Sequence, residues 1–445
     1  MLNDIIDRTF ADQIQSLAGL IAIPSVSRGK PEPGMPLGRE VNNALEYTLA
    51  LARKLGFDRA RSLEGYCGVV DYGEGEEMLM IMAHLDVVPA GPAWASDPFT
   101  LTERNGRLCG RGVLDDKGPA VSALYALHAV REAGVPLKRR VRLFFGCDEE
   151  RGWACADRYK KTEPEPTLAF TPDSSYPVIH SEMGICHTTY TKKLSGSKVR
   201  ISCGTAPNVI PGEAKAVLPF APEPPADRDG LTYAVAGNEL SVVGHGGHGS
   251  RPQDAKNALL GLLDALKDQP LDADDLAVAS SLAALLGFDM HGETFGLDVT
   301  DESGRLTLSP DMLEWNENEV SVTLDCRHPF SVTADRLLEA LDNGFAAIGF
   351  ARTYEKLSAG HFIDPESELV KTLLSIYEKA VGHKAKPLSI GGGTYARAFA
   401  NAVAFGIEPE NRVAECHMPN ESTTAEDLRF NTRIMAEAIV KLAGE

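Results

Sequence analysis

Three short apolar runs, 79–83, 141–146 and 168–171, each stop abruptly on polar side chains. The first meets His84 and then Asp86, the second meets Asp148, Glu149 and Glu150, and the third meets Asp173. Runs this short, apolar without alternation, read as strands buried on both faces of a sheet. Pro89, Gly91 and Pro92 stop the first strand from continuing, which puts His84 and Asp86 at its C-terminal end. Side chains two apart on an extended chain share a face, so these two point the same way. In an open α/β sheet, the carboxyl ends of the strands are where ligands bind.

A fourth acidic pair, Asp115 and Asp116, stands in the loop 110–119, at the mouth of an apolar helix expected over 120–133. If all these ends share one sheet edge, His84, Asp115 or Asp116, Glu149, Glu150 and Asp173 surround a common space. Carboxylates crowded in this way repel one another unless cations lie between them. Two divalent metals sharing a carboxylate fit the set. A neutral imidazole can ligate through one nitrogen while a nearby acceptor fixes the other, which suits His84. Another histidine, His417, occupies a polar loop over 415–421.

The remaining pattern organises the chain around that edge. Helical spacing runs over 4–20 and 39–55, the second stopped by Gly56, with a Pro- and Gly-rich loop over 28–38 between them. A further strand is expected over 67–72, and Asn105-Gly106 marks a hairpin turn within 101–108. Beyond 182 the texture changes to alternating strand runs such as 240–243 and 320–324 and helices such as 255–266. This is a second α+β domain over 184–361. Beyond it, helices are expected over 366–381 and 424–442, with a glycine loop at 391–393. Two domains suit 445 residues, more than one core usually holds.

A formal charge of −19 argues against nucleic-acid and anionic membrane partners. The eight cysteines include no Cys-x-x-Cys pair and read as reduced, buried thiols. Asp4, Asp7, Arg8 and Asp12 break the apolar character of the N-terminus, and no membrane-length apolar run follows, so a cytoplasmic location is expected. Neither glycine loop has the spacing of a nucleotide-binding motif.

The segments Ala-His-Leu-Asp-Val-Val-Pro at 83–89, Gly-Arg-Gly-Val-Leu-Asp-Asp-Lys-Gly-Pro at 110–119, Asp-Glu-Glu at 148–150, Thr-Pro-Asp at 171–173 and Gly-Gly-Gly-Thr-Tyr-Ala-Arg at 391–397 resemble the Xaa-His dipeptidases. These stand with the carnosinases and aminoacylases among dinuclear metallopeptidases. The similarity extends from Ile23-Pro24-Ser25-Val26 to His417-Met418-Pro419-Asn420-Glu421. It implies an α/β fold, a mixed-sheet catalytic domain of aminopeptidase/carboxypeptidase type made of 1–183 and 362–445, with the α+β lid of 184–361 inserted between these two parts. It also implies that His84 and Asp173 hold one metal, Glu150 and His417 the other, and that Asp115 bridges them. Glu149 would be the general base, Asp86 would orient His84, and the Asp115–Asp116 bond would be cis. Zinc is the expected metal, with manganese or cobalt also suited to such ligands.

In the lid, the resemblance makes His248 the donor to the oxyanion, with His245 as its rival, and Asn208 a substrate contact. Arg327 would pair the substrate carboxylate, to which Gly392 and Gly393 would offer backbone N–H groups. The lid matches less closely than the metal segments, and its Pro-rich stretch 222–225 has no counterpart. The implied activity is hydrolysis of unblocked dipeptides by a monomer, with an N-acyl-amino-acid deacylase or carboxypeptidase using the same site as the alternative. A non-catalytic module on a retired hydrolase fold would not need Glu149 beside a complete ligand set.

Overall fold

The computed structural model describes residues 1–27, 29–410 and 415–444; the first residue of the loop expected over 28–38 lies outside them. The chain divides into two compact units. One comprises Met1–His180, Ile363–Leu388 and Gly393–Glu445, the other Ser181–Phe362 and Ser389–Gly392.

In the first unit neighbouring strands of the sheet are, in order, Ala60–Leu63, Cys67–Tyr72, Arg140–Gly146, Met78–His84, Leu168–Thr171 and Ala402–Ala404. The sheet is mixed. Met78–His84 is parallel to both Arg140–Gly146 and Leu168–Thr171, whereas the strands toward Ala60 are antiparallel. His84 pairs in register with Gly146 and Ile81 with Phe170, so the three strands end along one edge.

Alternation along Met78–His84 explains why this strand is apolar throughout. Leu79, Ile81 and Ala83 join the core beneath the helices Leu2–Ile21, Lys117–Glu132 and Ala425–Ala443. Met80 and Met82 face the opposite way, into a cluster with Phe144, Tyr159, Tyr395 and Phe399. Buried Gln13 ties the three helices together by donating to Ser122 Oγ at 3.1 Å and Thr432 Oγ1 at 2.9 Å.

Two boundaries differ from the sequence pattern. The helix expected from 120 begins at Lys117, because Pro119 falls in its first turn, where a missing N–H breaks no helical bond. The helix expected from 255 begins at Ala258, after Pro252–Asp254 forms a 3₁₀ turn and the Asn257 side chain accepts from Leu259 N and Leu260 N. The hairpin closes at Asn105 and Gly106, with φ of 52° and 72°, as a two-residue turn of that hand requires.

The second unit is an antiparallel eight-stranded sheet, with Gly184–Lys193, Thr307–Trp315 and Glu319–His328 among its central strands. Val320, Val322, Leu324 and Cys326 alternate into a core shared with Leu259, Leu262 and Leu263 of helix Ala258–Leu266 and Leu337, Leu341 and Phe345 of helix Ala334–Ala347. Among the described residues no helix is long and apolar enough to cross a membrane.

Candidate metal centre

The edge where the strands end carries the side chains singled out above. His84 is the last residue of its strand and is fully buried. Its Nδ1 lies 2.9 Å from the Asp86 carbonyl oxygen, which can only accept, so the ring proton sits on Nδ1 and the Nε2 lone pair is left to face the site. Nε2 stands 2.9 Å from Asp115 Oδ1 and 3.6 Å from Asp173 Oδ2. The other Asp115 oxygen, Oδ2, is 2.9 Å from His417 Nε2, which is also 3.1 Å from Glu150 Oε2. Asp115 therefore lies between the two imidazoles.

Asp115 and Asp116, between which spacing alone does not choose, direct their side chains differently. The peptide bond joining them is cis, and Asp116 turns away to accept the N–H of His84 at 2.9 Å. Asp86 also differs from expectation. Its carboxylate is 3.6 Å from His84 Nδ1, too far for a hydrogen bond, and instead accepts the N–H groups of Glu149 and Glu150, both at 3.1 Å. Asp86 thus aims the histidine through its carbonyl and the glutamates through its carboxylate.

Negative charge is in excess here. Burial pushes the Glu149 carboxyl well above its ordinary value, and the neighbouring Asp173, Glu150 and Asp115 push the same way against His84. Burial and Asp115 likewise raise Glu150 to about 7. Such a set calls for cations.

The donors fit them. One oxygen or nitrogen each from His84, Glu149 and Asp173 lie within 4.8 Å of one another, and so do those from His84, Asp115 and Glu150. Among the described residues, buried His84 Nε2 and Glu150 Oε1 have no hydrogen-bond partner, which fits metal-ligand atoms.

Residues that carry no ligand atom hold this arrangement, and spacing alone did not reveal them. Ser25 Oγ donates to the Leu85 carbonyl at 2.6 Å and Ser25 O accepts from Val87 N, fixing the turn after His84. Buried Lys117 donates to the carbonyls of Leu20 and Ile23, closing the end of the first helix. Tyr395, fully buried, places its ring edge-on to His84 with centroids 6.3 Å apart and its hydroxyl 2.8 Å from Cys155 Sγ. That hydroxyl lies 2.0 Å from where a Cβ on Gly146 would be, so only glycine fits at the end of this strand. Glu421 is likewise buried, against the loop of Asp115.

The remaining predicted residues lie in or beside the second unit. His248 pairs with Val209; its Nδ1 lies 3.1 Å from Ser250 N and 2.8 Å from Ser250 Oγ, and its Nε2 lies 3.4 Å from Asn208 Nδ2. His245 instead pairs through its backbone with Lys256. Arg327 is buried and forks onto both oxygens of Asp325 at 2.7 Å while Nη1 donates to Gly391 O. Among the described residues three of its five hydrogens are thus engaged, one on Nε and one on each Nη. Gly392 closes the short stretch that joins the second unit, and Gly393 returns to the first.

A family profile described as peptidase family M20/M25/M40 matches residues 80–441. YtjP of Bacillus subtilis (strain 168), provisionally named a dipeptidase, is 33% identical over 436 residues, 92% of each chain. The β-Ala-Xaa dipeptidase of Lactobacillus delbrueckii subsp. lactis is 32% identical over 428 residues, covering 92% of this chain and 90% of its own. The crystal structure of human carnosine dipeptidase 1 shares the fold, with a TM-score of 0.58 and 15% identity over 99% of this chain and 98% of that one.

Proposed function

Because the chain belongs to peptidase family M20/M25/M40, and is therefore a hydrolase, we propose that it is a metal-dependent dipeptidase acting on unblocked dipeptides, with Glu149 as general base. The observation that carries this reading is Asp115 set between His84 and His417, each imidazole 2.9 Å from a different oxygen of one carboxylate. In the proposal His84 and Asp173 hold one divalent ion, Glu150 and His417 the other, and Asp115 bridges them. Zinc is the proposed metal, with manganese and cobalt as alternatives. Two such ions would supply Lewis-acid chemistry, activating a water and polarising the scissile carbonyl.

This chain's residues supply the rest. Glu149 takes the proton of the attacking water and delivers it to the leaving amine. The Asp86 carboxylate, by holding the Glu149 and Glu150 amides, keeps base and ligand in fixed relation. His248 is the proposed donor to the oxyanion, and Asn208 a substrate contact. Arg327 would meet the substrate carboxylate with its two remaining hydrogens, aided by the amides of Gly392 and Gly393.

The dipeptide class is supported by the names of the two relatives. The proposal also takes the protein to be a cytoplasmic monomer whose partner is a small peptide, with no nucleic acid or membrane. The test is turnover of unblocked dipeptides, tripeptides and N-acetyl amino acids by protein loaded with each metal in turn. Cleavage of the dipeptides is the expected result; turnover of the acylated compounds alone would make the protein a deacylase.

A further inference from the structure

The buried pair Arg111 and Glu421 stands beside the centre but offers it no ligand. Their side chains are 1% and 0% exposed, with Arg111 Nη1 2.7 Å from Glu421 Oε2. Neither group is used up by the other. The Glu421 carboxylate accepts the N–H groups of Gly112 at 3.1 Å, Leu114 at 2.8 Å and Asp115 at 3.2 Å. Arg111 Nη2 reaches the carbonyls of Ala90 at 3.4 Å and His417 at 3.3 Å. One ion pair therefore touches the segment that follows His84 and Asp86, the loop of Asp115 and the turn of His417.

That turn needs holding. His417 and Asn420 both have φ of 64°, the left-handed region that side chains other than glycine's occupy at a cost. Such a conformation persists only where its surroundings determine it. Here they do so at three points: Arg111 on the His417 carbonyl, Asn420 Oδ1 accepting from Ala95 N at 2.8 Å, and Glu421 on the opposing loop. Glu421 stands to the Asp115 loop as Asp86 stands to Glu149 and Glu150: a buried carboxylate that fixes ligand-bearing backbone through its amides.

We propose that Arg111 and Glu421 are positioning residues that hold Asp115 and His417 in register for the shared metal site, so that tight metal retention depends on them. The inference rests on the metal assignment above.

A buried ion pair also balances charge, and breaking it by removing one partner destabilises a fold whatever its second role. Two variants separate these effects. Glu421→Gln leaves Arg111 without a counter-charge, whereas the double variant Arg111→Met/Glu421→Gln removes the imbalance at similar volume. For both, and for the wild type, the dissociation constant for zinc is measured by chelator competition and Tm is measured on metal-free protein. The expected result is a lowered Tm for Glu421→Gln, largely restored in the double variant, with zinc affinity weakened in both by roughly ten- to a hundredfold. Zinc affinity that recovers together with Tm, or that never changes, would overturn the proposal. Wild-type protein that binds no zinc, manganese or cobalt would instead overturn the metal assignment on which it stands.

Discussion

Asp86 and Glu149 are joined by a hydrogen bond of 3.1 Å from the glutamate's own N–H to the aspartate's carboxylate, with Glu150 N on the other oxygen. Asp86 is fully buried, so both bonds form away from water. Asp86→Ala removes both at once while the carbonyl that orients His84 remains. Metal retention should weaken by roughly tenfold or more, and kcat measured with saturating metal should still be lower than wild type. Full kcat at saturating metal would mean that Asp86 serves ligand geometry alone.

Replacing Glu149 by Gln keeps the side-chain volume and removes the base. Turnover of a dipeptide should fall by roughly 10²–10⁴-fold, with metal content equal to that of the wild type. Loss of metal in this variant would make Glu149 a ligand, which its convergence with His84 and Asp173 also permits.

Metal should stabilise the fold. With Asp115, Glu149, Glu150 and Asp173 gathered in one buried space, the metal-free protein bears their mutual repulsion. Adding a divalent ion at about a hundred times its dissociation constant should contribute about 2.7 kcal/mol and raise Tm accordingly. Identical melting with and without ion would contradict the site.

His248→Ala should lower kcat by roughly 10²–10³-fold, as removal of an oxyanion donor does, and leave metal content unchanged. A change confined to KM would make His248 a contact for substrate rather than for the developing charge.

The second unit should show its own pH dependence. Asp311 is fully buried beside Asp325; burial, the largest influence, pushes its carboxyl up to about 8, Ser309 draws it down and Asp325 pushes it up again. Its unfolded value is near 3.9. From about pH 4 to about pH 8 the folded chain therefore keeps a proton that the unfolded chain has released. The contribution of this group to stability is complete below that window and declines as pH rises through it. Asp311→Asn has no proton to lose, so its Tm should fall less than the wild type's between about pH 5 and about pH 8, followed by scanning calorimetry. Parallel curves would show that Asp311 titrates normally.

Much of the centre was legible because strands have a fixed period and end on punctuation. The run 79–83 shows as a buried strand from its composition alone, and the proline and glycines after it place His84 and Asp86 at its end. The family membership was legible from the motif segments, and so was the mixed α/β character of the fold. The cis bond between Asp115 and Asp116 came only by resemblance, since nothing in residue spacing reports a peptide isomer.

Left to the tertiary structure were the contacts that depend on direction. Spacing puts Asp86 on the same face as His84, yet its carboxylate goes to the amides of a strand end some sixty residues later in the chain. Arg111 and Glu421 stand in two motif segments far apart in the sequence, and their pairing exists only because the last part of the chain returns to the loop of Asp115. The physical reason is one of range. Period, capping and breakers act over a few residues and so are written locally, whereas a buried carboxylate takes whatever N–H groups folding brings within 3 Å or so, and that choice is made by packing.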